Sequence, residues 1–87
     1  MKKEDIIAAI ESKVKTYSLW QIGLTHDPSK RKEEWAAEGR NTAHWTDWKA
    51  DSLTDAQDIE SHFISKGMKG GTGGDLFSRR DVYVYVF

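Results

Sequence analysis

The stretch Tyr17-Ser-Leu-Trp-Gln-Ile-Gly-Leu-Thr-His-Asp-Pro-Ser-Lys-Arg-Lys-Glu-Glu-Trp35 changes its period midway, and that change decides the fold. Up to Thr25 the period is two, with Trp20, Ile22 and Leu24 on one face and Tyr17, Leu19, Gln21, Gly23 and Thr25 on the other. Apolar residues on both faces predict a central strand. Asp27 then offers an N-cap oxygen, and Pro28 is a first-turn residue whose missing N–H costs nothing there. A helix is therefore expected to start at once, run to about Ala37 and stop before Gly39.

Working outward, Ile6, Ile10 and Val14 recur at four-residue intervals with Ile7 beside them, which predicts an amphipathic helix over residues 3 to 15. Both charge signs mix on its polar face, unlike the basic face of a membrane-surface helix. His44 to Ala50 is aromatic and roughly alternating, and reads as a short strand. Asp51, Ser52 and Thr54 are candidate caps for the next helix, with Thr54 and Gln57 spaced as a capping box. Ala56, Ile59, Phe63 and Ile64 form its apolar stripe, Gly67 suits its C-terminal stop, and Met68 is expected to return to the core. Asp81 to Phe87 alternates valines with aromatics and is the strongest strand in the chain. The expected order is helix, strand, helix, strand, helix, strand, in a single domain over residues 1–87: an α+β fold, three helices covering a small three-stranded sheet.

Composition bounds the function. Eighty-seven residues make one domain, and the absence of cysteine excludes a disulfide framework and a thiolate metal site. That usage fits a cytoplasmic location, and no apolar run reaches the roughly 20 residues of a membrane span, so no membrane partner is expected. A net charge of -1 argues against a strongly basic nucleic-acid binder, although Lys30-Arg31-Lys32 and Arg79-Arg80 are local basic clusters.

Glu60 lies within the apolar stripe of its helix, four residues after Ala56 and four before Ile64. A carboxylate at the edge of a core is expected to be paired, hydrogen-bonded or metal-bound, or else to lean out to solvent. His26, His44 and His62 have no metal-ligand spacing, and no serine has a nucleophile-elbow context. The glycine-rich run Lys69 to Asp75 follows a helix and precedes a strand, the reverse of a phosphate loop, so it reads as a connector.

Taken together, Ile22-Gly23-Leu24-Thr25, Asp27, Arg31 eight residues after the glycine, and Ala56, Ile59-Glu60, Phe63-Ile64 resemble the core of the GIY-YIG endonucleases. The resemblance covers about residues 17 to 68. It implies that Arg31 stabilises a phosphate in the transition state, that Glu60 holds a divalent metal, Mg²⁺, and that a tyrosine, among Tyr17, Tyr83 and Tyr85, serves the attacking water. Two positions and one element depart from the family: Gln21 replaces the tyrosine before Ile22-Gly23, Trp35 replaces a frequent histidine, and an amphipathic helix stands where a Gly-Ile-Tyr strand should precede. If the C-terminal strand pairs antiparallel with Tyr17 to Thr25, the sheet is a circular permutation of the family's, and Tyr83 or Tyr85 is expected to point toward Arg31 and Glu60.

Three functions follow as expectations. The first is a metal-dependent nucleic-acid phosphodiesterase. The second is a non-catalytic nucleic-acid binder using Lys30, Arg31, Lys32, Lys69, Arg79 and Arg80, with Trp45 or Trp48 stacking on bases. The third is a protein-interaction domain in which the four tryptophans form core or a contact patch.

Overall fold

The computed structural model describes residues 1–70 and 81–87. Helix α1 spans Lys3–Lys13 and buries Ile6 and Ile10. It ends two residues earlier than expected because Val14 is already extended, yet Val14 still donates its N–H to the Ile10 carbonyl at 2.9 Å. Tyr17–Leu19 is a 3₁₀ turn rather than the start of a strand. The turn drops the Tyr17 ring onto Phe63, centroids 5.9 Å apart, and turns Leu19 outward, 78% exposed.

Strand β1 is Ile22–Thr25. Helix α2, Pro28–Ala37, starts where expected, with Lys30 donating its backbone N–H to Asp27 Oδ1 at 3.1 Å. Strand β2 is Thr46–Lys49, and helix α3 is Leu53–Ser65. The cap of α3 is Ser52, whose Oγ accepts from the Asp55 N–H at 3.1 Å. Thr54 therefore lies inside the first turn, and the capping box expected with Gln57 does not form. At the other end Gly67 takes φ 112°, the Gly67 N–H reaches the Ile64 carbonyl and the Met68 N–H the Phe63 carbonyl. This is a Schellman closure, and it returns Met68 to the core.

The C-terminal strand β3, Tyr83–Val86, is central, in the order β1-β3-β2, and antiparallel to both neighbours. The expected pairing with β1 is present, Gly23 opposite Tyr85 and Leu24 opposite Val84. The expectation of a central strand at β1 is corrected: it lies at an edge. Its two apolar faces reported burial on both sides, which an edge strand also has when helices cover both faces. The outer edge of β1 is partly occupied, since the Ile22 N–H donates to the Lys69 carbonyl at 2.8 Å.

The sheet has two unlike faces. Ile22, Leu24, Val84 and Val86 join Ile6, Ile10, Ala56, Ile59 and Phe63 in an aliphatic core under α1 and α3. The alternation of β3 sends Tyr85 and Phe87 to the other face, where they meet Trp45 and Trp35 of the α2 side. Trp35 Nε1 donates to the Tyr85 hydroxyl at 2.9 Å, satisfying a fully buried ring. Gly23 has to be glycine here, because a Cβ would collide with the Tyr85 ring.

Candidate functional site

Arg31 sits in the second half of the first turns of α2 and is half-buried, its Nε 3.1 Å from Glu34 Oε1. Trp35, four residues on, shares its side of the helix, and Arg31, Glu34, Trp35 and Glu38 line one shallow cleft. Glu60 is half-buried on α3, directly after Ile59 in the aliphatic core. The helices carrying Arg31 and Glu60 therefore cover opposite faces of the sheet.

Tyr85 and, two residues before it, Tyr83 point to the α2 face. Tyr85 is fully buried with its hydroxyl held by Trp35, while Tyr83 is half-buried between Thr25 and Lys49 in the ladder. Both tyrosines are on the side of Arg31 and away from the helix that bears Glu60. Tyr17 is on the other side, against Phe63 and with the Lys66 ammonium 6.0 Å from its ring. The fold thus places Arg31, Tyr83 and Tyr85 on one side of the sheet and leaves Glu60 and Tyr17 with α3 on the other. Mg²⁺ usually takes one or two carboxylates plus substrate phosphates and water. Glu60 supplies one carboxylate, and among the described residues no group of three or more His, Asp or Glu is gathered around an ion-sized space.

The basic residues divide differently. Lys30 and Lys32 are exposed on the opening of α2, and Lys69 is exposed beside β1. Arg79 and Arg80 lie outside the described residues, as does most of the glycine-rich run. Trp45 and Trp48, the expected base platforms, are used internally: Trp45 stacks on Tyr85 at 4.4 Å and donates Nε1 to Asp47 Oδ2 at 2.8 Å, and Trp48 packs against the aliphatic core. His26 Nδ1 donates to the Asp81 carbonyl at 2.9 Å, and His62 packs edge-on against Phe63 at 4.9 Å.

What the sequence did not single out is the exit of α2. Gly39, at φ 85°, closes a second Schellman motif, with the Gly39 N–H on Ala36 and the Arg40 N–H on the Trp35 carbonyl. That closure turns Arg40 back over the aromatic face, its guanidinium 5.1 Å from both the Trp35 and Phe87 rings. Leu19, Trp20, Arg40, Asn41, His44 and Phe87 then line a cleft of about 300 Å³ at the Gln21 end of β1. One further cation approaches it: the Lys13 ammonium is 5.7 Å from the Trp20 ring. The only available signal was Gly39 followed by a cation, which marks a helix end but not what the cation covers. Compared with known protein families, with curated proteins and with solved structures, the chain matches none.

Proposed function

We propose that this domain binds nucleic acid without cleaving it, through the α2 side of the sheet. The observation that carries this reading is the distribution of cations along α2. Lys30, Arg31 and Lys32 crowd its N-terminal end, where no acid occupies the first turn, and Arg40 follows its C-terminal end, lining one cleft with Trp20, whose ring the Lys13 ammonium approaches. Cations at a helix N-terminus oppose the macrodipole, so the sequence keeps them there at some cost to the helix. Asp27 already caps that end with its own carboxylate, so contact with phosphate falls to the exposed side chains of Lys30 and Lys32. Between the two ends stand Glu33, Glu34 and Glu38, so contact concentrates at the ends and the net charge of -1 is compatible with modest, salt-sensitive binding.

The test is anisotropy of a labelled oligonucleotide across a salt series. Binding is expected to weaken linearly in log salt, and Lys30→Ala or Lys32→Ala to reduce the slope by about 1 each. No binding at low salt, or binding indifferent to salt, removes the proposal.

A second reading, a phosphodiesterase resembling the GIY-YIG endonucleases, is favoured by one observation: β1 and β3 pair antiparallel with Tyr85 across Gly23, under the helix of Arg31. Mg²⁺-dependent plasmid nicking that is lost in both Arg31→Ala and Glu60→Gln would support it. Intact plasmid at high protein concentration, with binding retained, leaves the first reading.

A further inference from the structure

We infer that the cleft between Trp20, His44 and Phe87 is the seat of one unpaired nucleobase, with Arg40 and Lys13 facing the adjoining phosphate, so that the domain prefers single strands. This rests on the nucleic-acid reading above and specifies its ligand. About 300 Å³ is at the small end of ligand sites, enough for one planar heterocycle and its sugar.

The lining then selects the chemistry. Trp20 and His44 present two rings 6.4 Å apart and inclined at 50°, an open pair of π-surfaces rather than a closed stack. His44 is exposed and Trp20 half-buried, so both are within reach of a ligand, whereas the equally half-buried Trp45 stacks on Tyr85. Asn41 accepts the Ala43 N–H through Oδ1 at 3.0 Å, which fixes the amide and leaves its NH₂ as a donor for a base edge. Arg40, exposed and held over Trp35 and Phe87, offers a planar guanidinium that can stack or fork onto phosphate oxygens. The charged side chains at the cleft, Arg40 and Lys13, are positive and the rings are apolar, which complements a nucleotide in both parts. A duplex hides its bases from such a cleft, whereas a single strand stacks them on aromatic side chains. Leu19, 78% exposed at the rim, gives the neighbouring sugar or base an apolar contact.

The test uses the intact 87-residue chain with three probes: a labelled oligothymidylate, the same sequence as a duplex, and adenosine monophosphate alone. Indole and amide NMR signals report where each probe binds. The single strand is expected to bind at least tenfold tighter than the duplex, and the monophosphate to shift the Trp20 indole and the Asn41 side-chain signals. His44→Ala and Arg40→Ala, both exposed and so expected to leave the spectrum folded, should each weaken single-strand binding roughly tenfold, the scale of one base stack. Single strand and duplex binding equally, with these variants unchanged and the salt slope intact, overturns the cleft proposal while nucleic-acid binding stands. No binding of any probe overturns both. A polyglutamate peptide that shifts the Trp20 indole as strongly as the oligonucleotide overturns it too, since charge rather than the base would then be read.

Discussion

The two faces of the sheet solve the same burial problem with different materials. Under α1 and α3 the contacts are aliphatic, interlocked and dry: Ile6, Ile10, Ile22, Ile59, Val84 and Val86 are all fully buried. Under α2 they are aromatic and polar at their tips, with Trp35, Trp45, Tyr85 and Phe87 joined by ring stacking and one hydrogen bond, while α2 itself has no fully buried residue. The aliphatic face supplies stability. The aromatic face holds a thin, charged helix in place and leaves rings and cations accessible at its end, which is where a ligand would meet the molecule.

The difference can be broken most severely from the aliphatic side. Phe63→Ala empties the centre of the α3 packing and is expected to lower stability by about 3–5 kcal/mol in urea unfolding. A loss under 1 kcal/mol would mean that the two faces share stability evenly. Gly23→Ala attacks the junction of the faces by pushing a methyl group into the Tyr85 ring, and should cost about 1–3 kcal/mol. Trp35→Phe keeps a ring on the aromatic face but removes the donor to the buried Tyr85 hydroxyl, at a cost of about 1–2 kcal/mol. Adding Tyr85→Phe to that variant should recover part of the loss, because no polar group then remains unpaired. Asp27→Ala removes the N-cap of α2 and is expected to cost about 1 kcal/mol, visible as faster amide exchange in α2 with α3 unchanged.

Much of this fold was legible. The alternation of Asp81 to Phe87 predicted a strand with valines on one side and aromatics on the other, because period and side-chain type agreed. Asp27-Pro28 and Gly39 bounded α2 for local reasons of capping and backbone conformation. Tyr17 to Leu19 was misread, because the alternation there is satisfied just as well by a turn that drops Tyr17 onto Phe63, a partner far away in the chain. The order of strands was equally hidden, since burial on two faces does not distinguish an edge strand flanked by helices from a central one. The candidate site was least legible. Trp20, Arg40, Asn41, His44 and Phe87 come from three separate segments, and only the closure at Gly39 and the pairing of Gln21 with Phe87 unite them.

The central claim is that ligand meets α2 and the Gln21 end of the sheet and not the outer face of α3. Amide chemical-shift mapping with a short oligothymidylate tests it most directly. The predicted result is a set of shifts at Trp20, Lys30, Lys32, Arg40, Asn41 and His44, with the outer face of α3, at Gln57, Asp58 and Ser61, unchanged. Shifts concentrated around Glu60 and α3, with the Trp20 and Arg40 signals unmoved, would contradict it.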